Sequence, residues 1–427
     1  MSTVVVSPAE SFSLKISEIA PDKSISHRSV MFAMLSKGVS EIENFLRAED
    51  TMNSLEIVKN LGANVEDDGK IIKISSNGIQ EPFEILDCGN SGTGMRLFCG
   101  LLSSANGHFV LTGDKYLRRR PMKRVTEPLM SIGAKLDGRK NGDLAPLSIR
   151  GASLKAFDYE SKIASAQVKS AMILAALRAD GVCRYREPEL SRDHTERMLK
   201  GMGADIKVDG LTTTVTPLKK LLEPLKIRVP ADPSSAFFFA VAAAIVPGSQ
   251  VILEGVTLNP TRIEAFKALE RMGADISYEL TDDRYEPVGN IHVKYAPLHS
   301  IVIEENISWL IDELPALSIA MASANGESIV KNAKELRVKE SDRISTVVEG
   351  LRACGIEVDE YEDGYKITGG ALKKAKVESD GDHRIAMSFI IAGVKCGMEV
   401  SDLECINTSF PNFFELLSKI SETEFTE

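Results

Sequence analysis

Residue types suited to holding and activating an anion recur at helix starts along this 427-residue chain. The clearest stretch is Asp87-Cys88-Gly89-Asn90-Ser91-Gly92-Thr93-Gly94-Met95-Arg96, followed by the apolar run Leu97 to Ala105. Small residues opening a helix leave backbone N–H groups exposed at the positive end of the helix dipole, a seat for phosphate or carboxylate. An ordinary glycine-rich turn is the competing reading. Comparable mouths are Asp22-Lys23-Ser24 with Arg28 a turn inside, Ser165-Ala166-Gln167, Asp232 to Ser235, Asp312-Glu313 and Asp382-His383-Arg384. Capping accounts for the Ser and Asp residues. It gives no reason for Lys23, Arg28 or Arg384, because a cation near a helix N-terminus is disfavoured by about 0.3–1 kcal/mol. An anionic ligand would offset that repulsion.

More positive charge precedes the second helices. Leu117 to Arg124 holds five cations within seven residues, and Ser191-Arg192-Asp193 and Arg337 to Arg343 are the other basic loops. Arg118 and Lys123 read as a solvated face. Arg120 and Arg343 are expected to open their helices at equivalent places and to converge with Lys23 and Arg384 on one cleft. Arginine forks suit carboxylate and phosphate, at about 1.5–3 kcal/mol per charge-assisted contact. Asp312 and Glu340 fall among these cations. They are either structural ion pairs or groups that take a proton from a hydroxyl and deliver one to carbon.

The elements that carry these residues repeat. Helix-period segments run Ser26 to Gly38, Ser91 to Gly107, Ser165 to Gly181, Pro233 to Gly248, Glu313 to Gly326 and His383 to Gly397. Their terminal glycines recur about every 70 residues, which signals a repeated unit. A second helix in five of the units closes on a shared phrase, as in Leu61-Gly-Ala-Asn-Val65, Met272-Gly-Ala-Asp-Ile276 and Cys354-Gly-Ile-Glu-Val358. Glycine there ends a helix, and the alternating residues after it begin a strand. Each unit reads as βαβαββ. Runs such as Ala236-Phe-Phe-Phe-Ala-Val-Ala-Ala-Ala-Ile245 are apolar all round and must be buried by their neighbours. The expected architecture is α/β, with two similar lobes of three repeats each and buried helices behind sheets. One lobe comprises residues 1–20 plus 230–427 and the other 21–229, with crossings near Ile19-Ala20-Pro21 and in Leu225 to Pro230.

Composition excludes some partners. A net charge of −10 argues against nucleic acid or an anionic membrane, and no apolar run reaches transmembrane length. The six cysteines show no C-x-x-C spacing, so free thiols in a reducing compartment are expected, with no metal site and a cytoplasmic location.

Asp22-Lys-Ser-Ile-Ser-His-Arg28, Gly89 to Arg96, Arg119-Arg-Pro-Met122, Arg337 to Arg343 and Asp382-His-Arg-Ile-Ala-Met387 occur in this order across nearly the whole chain. The set resembles the signatures of the 5-enolpyruvylshikimate-3-phosphate synthase family, whose fold is the enolpyruvyl transferase fold closing on substrates at a hinge. The resemblance implies transfer of the carboxyvinyl group of phosphoenolpyruvate to the 5-hydroxyl of shikimate 3-phosphate, with release of phosphate and no cofactor. It places Lys23, Gly92, Arg120, Gln167, Arg343 and Arg384 on phosphoenolpyruvate. It places Lys23, Ser24, Arg28, Ser165, Gln167, Arg192, Asp312 and Lys339 on shikimate 3-phosphate. Asp312 corresponds to the base on the hydroxyl, and Glu340 and Lys23 to the groups that move protons at the methylene. A monomer is the expected state.

The sequence also departs from that pattern. Thr408-Ser409-Phe410-Pro411 lacks a preceding lysine that many members have, Ala166 stands at a frequent second serine, and Leu97 at a frequent proline. Arg192 is the expected substitute for the lost hydroxyl, and the whole is closer to the divergent bacterial branch. Two rivals are a transferase acting on UDP-N-acetylglucosamine and a non-catalytic scaffold for a phosphorylated metabolite. The first usually carries a reactive Cys or Asp in a loop comparable to Thr112–Arg124, where Asp114 is the single acid.

Overall fold

The six helices expected to be buried all form in a computed structural model that describes residues 2–426: α1 (Lys23–Ala33), α2 (Gly92–Leu102), α3 (Ala166–Ala176), α4 (Pro233–Ile245), α5 (Leu314–Ala322) and α6 (His383–Cys396). Most stop a turn or so before the glycine that the sequence suggested as their end. In α4 every residue is buried, as its unbroken apolar surface demands. The glycine of each shared phrase lies just past its second helix with a left-handed φ, from 78° at Gly355 to 104° at Gly273.

Among the described residues there are six four-stranded sheets, all built alike. In one of them Leu86–Asp87 runs parallel to His108–Thr112, with α2 as the crossover between them. His108–Thr112 is antiparallel to Leu144–Arg150, which pairs in turn with Lys135–Gly138. Register sets Phe109 and Leu136 on either side of Ile149, and all three are buried under the sheet.

The chain divides into two compact units: residues 1–20, 230–283 and 287–427, and residues 21–229 with 284–286. In the second unit the first repeat lacks a leading strand of its own. Lys226–Arg228 supplies it, pairing parallel with Val39–Glu43. In the first unit the N-terminal residues do the same. Ser13–Ile16 is the parallel partner of Gln250–Thr257, and Thr3–Val6 lies between Met398–Ser401 and Thr423–Thr426. A discontinuous first unit follows from that pairing.

Helix packing forms each core. In the second unit α2 lies against both α1 and α3. A Cβ at Gly100 of α2 would fall 2.2 Å from the carbonyl oxygen of Ala171, so only glycine permits this approach. In the first unit α4, α5 and α6 pack on one another. Phe238 and Phe239 of α4 meet Phe413 edge-on or tilted, and burial of each ring contributes about 2–3 kcal/mol. No helix among the described residues is long and apolar enough to cross a membrane.

Candidate active site

Hydrogen bonds gather the three N-terminal ends of the second unit. Asp22 caps α1 by accepting from the Ile25 amide at 2.8 Å, and Ser91 caps α2 by accepting from Gly94 at 2.9 Å. His27 joins the two, with Nδ1 2.8 Å from Ser54 Oγ and Nε2 3.1 Å from Ser91 Oγ. Burial, then the Lys23 charge, pull His27 down to about 3, so the ring is neutral and can donate to one hydroxyl while accepting from the other. Gln167 at the start of α3 completes the set: its Nε2 donates to Thr93 Oγ1 at 2.9 Å, and its Oε1 accepts from Arg96 Nη1 at 2.6 Å.

The cations of this unit are held in place from behind. Lys23 Nζ lies 2.6 Å from Asp50 Oδ2. Arg28 is buried and donates to Thr195 Oγ1 and Ser170 Oγ as well as to the Ser24 carbonyl. Gly92 matters for the room it leaves: a Cβ there would be 2.9 Å from Arg96 Nη1 and 3.3 Å from Arg120 Nη1. Ser165 caps α3 through a long 3.5 Å bond from Val168, and Arg192 is half-buried just before helix His194–Gly201.

One expectation is corrected here. Arg120 does not open a helix; it ends the short turn Leu117–Arg119 in extended backbone, three residues before helix Lys123–Ser131. Pro121 is the reason, because the residue before proline is driven out of the helical region. Arg343, by contrast, is the first residue of its helix, Arg343–Ala353.

The first unit gathers its helix ends with charge. Arg343 is 1% exposed, and three carboxylates converge on it: Asp382 on Nε at 2.8 Å, Glu340 on Nη2 at 2.8 Å and Asp312 on Nη1 at 3.3 Å. Burial works against its charge, but Asp382, Glu340 and Asp312 outweigh burial and raise its pKa. Asp382 also caps α6, accepting from the Arg384 amide at 2.8 Å. Although burial opposes its ionisation, Arg343 keeps its carboxyl below the usual range. At α4, Ser234 Oγ donates to Glu313, which precedes α5, and Arg262 bridges Asp232 and Ser234. Lys339 reaches Glu335 at 3.2 Å, and burial lowers its pKa against the pull of Glu335 and Asp312.

Arg384 differs from its neighbours. It is 7% exposed, its guanidinium lies 5.9 Å from the Phe238 ring, and its Nε and Nη1 are buried with no hydrogen-bond partner. A buried donor left in that state is costly and marks a place for an acceptor.

The residues given roles by resemblance thus sort by unit: Lys23, Ser24, Arg28, Gly92, Arg120, Ser165, Gln167 and Arg192 in the second, and Asp312, Lys339, Glu340, Arg343 and Arg384 in the first. Four residues that sequence reasoning left without a role support them: His27, Asp50, Arg96 and Asp382. Asp382 and Arg96 lay inside recognised motifs, hidden behind capping and glycine signals. Asp50 gave no signal, since an acid in the first turn of an amphipathic helix is unremarkable. Among the described residues, no group of three or more His, Cys, Asp or Glu is placed to hold a metal.

Similarity to known proteins agrees with this arrangement. The chain is 79% identical over its full length to the complete 3-phosphoshikimate 1-carboxyvinyltransferase of Sulfurimonas denitrificans. It is 66% identical to that of Nitratiruptor sp., with 99% of each chain covered. The solved structure of EPSP synthase from Acinetobacter baumannii superposes with a TM-score of 0.91 at 38% identity, covering 100% of both chains. Residues 9–417 match the family profile described as EPSP synthase (3-phosphoshikimate 1-carboxyvinyltransferase). The fold of these two units of repeated sheets is therefore shared with the solved EPSP synthase, and the chain belongs to the EPSP synthase family.

Proposed function

We propose that this chain transfers the enolpyruvyl group of phosphoenolpyruvate to the 5-hydroxyl of shikimate 3-phosphate, releasing phosphate, in the shikimate route to aromatic amino acids. The observation that carries the anion chemistry is Arg384, a buried guanidinium with two donors awaiting an acceptor. We assign it to phosphoenolpyruvate together with Arg343, Arg120, Lys23, Gly92 and Gln167. Ser24, Arg28, Ser165, Arg192 and Lys339 serve the acceptor, with Lys23, Gln167 and Asp312 also touching it.

The reaction is an addition followed by an elimination. Asp312 takes the proton of the 5-hydroxyl as its oxygen bonds to C2 of phosphoenolpyruvate, while Glu340 or Lys23 protonates the methylene. The resulting tetrahedral ketal then returns a methyl proton and expels phosphate, whose charge the arginines stabilise. Arg343 orients Asp312 and Glu340, since it bonds both carboxylates. Asp114 is occupied in holding the amides of Tyr116 and Leu117, which leaves the UDP-N-acetylglucosamine reading without its loop acid. A monomer is the expected active unit. Free thiols suit the cytoplasm.

Arg384→Gln tests the assignment. Loss of a charge-assisted contact worth about 1.5–3 kcal/mol raises KM for phosphoenolpyruvate about 10- to 150-fold and leaves acceptor affinity within about twofold. Unchanged phosphoenolpyruvate kinetics would remove Arg384 from the site.

A further inference from the structure

One ammonium in the second unit has no role in the chemistry above and no contact with solvent. Lys169 in α3 is 0% exposed. Its Nζ donates to Glu187 Oε1 at 2.7 Å and to the Ser191 carbonyl at 3.0 Å, and lies 2.9 Å from Glu196 Oε1. Glu187 and Glu196 are 2% and 3% exposed. Glu187 in turn accepts from the Ser191 amide at 3.1 Å and from Ser191 Oγ at 2.6 Å. One side chain therefore fastens the segment 187–196 to α3 at its start, its middle and its end.

What lies between the fastening points gives the arrangement a purpose. Arg192 follows Ser191 directly, and Thr195 precedes Glu196. Thr195 Oγ1 accepts from Arg28 Nε at 2.8 Å and pairs with Ser170 Oγ at 2.7 Å, and Ser170 also accepts from Arg28 Nη2. The position of the segment thus fixes the Arg28 guanidinium and the backbone from which Arg192 projects. A buried ion cluster is weak evidence for stability, because well-packed apolar side chains do as well, so a reason in geometry is called for. Burial opposes the Lys169 charge, yet Glu196 and Glu187 overcome it and raise its pKa, so the ammonium persists. Burial raises the Glu196 pKa against the attraction of Lys169.

We infer that Lys169, with Glu187 and Glu196, is a positioning residue for the acceptor phosphate: it holds segment 187–196 so that Arg192 and Arg28 face that group. This rests on the assignment of those two arginines to shikimate 3-phosphate. Lys169 itself touches no substrate.

The test is calorimetric titration of the full chain with shikimate 3-phosphate and, separately, with phosphate-free shikimate. Lys169→Met leaves two buried carboxylates without their cation, so it is paired with the triple variant Lys169→Met/Glu187→Gln/Glu196→Gln, which removes all three charges together. Either variant, once shown folded by a cooperative melt, binds shikimate 3-phosphate about tenfold more weakly, with shikimate affinity and KM for phosphoenolpyruvate within about twofold. Combined with Arg192→Ala, the Lys169 change adds clearly less than its tenfold effect alone, because part of that effect runs through Arg192 and only the Arg28 part is left. Wild-type affinity in a folded variant, full additivity with Arg192→Ala, or an equal loss for shikimate would overturn the inference. Failure of both variants to fold would assign the cluster to stability and overturn it too. Arg192→Ala alone separates the two readings: if it leaves shikimate 3-phosphate binding intact, the arginine assignment fails, and if it weakens binding while the Lys169 variants do not, only the positioning role fails.

Discussion

Asp312 and Arg384 show how differently the fold treats two groups given parts in one reaction. Asp312 rests on Arg343 at the long distance of 3.3 Å, close enough to be oriented and loose enough to accept a proton. Asp312→Asn keeps the shape and the acceptor contact but removes the base. Turnover falls about 10²- to 10⁴-fold in steady-state assays while shikimate 3-phosphate still binds, and near-normal turnover would remove it from that role. His27 makes a different prediction. Its pKa is about 3 in the folded chain against an ordinary 6.5, so between those values the unfolded chain binds the extra proton and stability falls as pH falls. From pH 7 to pH 5 that loss is about 2 kcal/mol for this one ring. Urea unfolding of His27→Gln at both pH values shows a chain weaker at pH 7 but less sensitive to acid by that amount. An unchanged slope would mean that the ring protonates in place. Of these residues the sequence marked Arg384, because capping gives no reason for a cation there, and Asp312, because it is an acid set among cations. His27 was silent: a histidine flanked by Ser26 and Arg28 says nothing of the two hydroxyls it joins until the helices are in place.

Helices were the most legible elements, since all-round apolar runs leave one solution. Their ends were less so. Val246 of α4 already has extended backbone, two residues before Gly248, a choice made by packing rather than by propensity. Arg120 lies outside its helix because Pro121 overrides the repeat symmetry with Arg343. Gly100 was unreadable as a packing residue, although it decides how closely α2 and α3 approach. Gly100→Ala drives a Cβ into the Ala171 backbone, which cannot rotate away. Denaturant titration is expected to show a loss of about 3 kcal/mol or more, larger than any helix-propensity gain from alanine. A neutral or stabilising result would mean that the two helices slide apart freely.

At the scale of the whole chain, repetition explains why chemistry collects at helix ends. Among the described residues six sheets of one pattern each lead into a buried helix, and within each unit three such helices must present their N-termini together once they pack. The α/β architecture of repeated units was legible because its period is written in glycines and shared phrases. The strands that repeats borrow within each unit were not, since Lys226–Arg228 at the edge of one sheet and Thr3–Val6 inside another are too short to announce their partners. The groups proposed for the reaction are divided between the two units, which makes the 427-residue chain the object to test. The most direct measurement follows phosphate release by the purified full-length protein with each substrate alone and with both. Release coupled to formation of the enolpyruvyl ether only when phosphoenolpyruvate and shikimate 3-phosphate are present together is the predicted result. Release with phosphoenolpyruvate alone, or in response to UDP-N-acetylglucosamine instead, would contradict it.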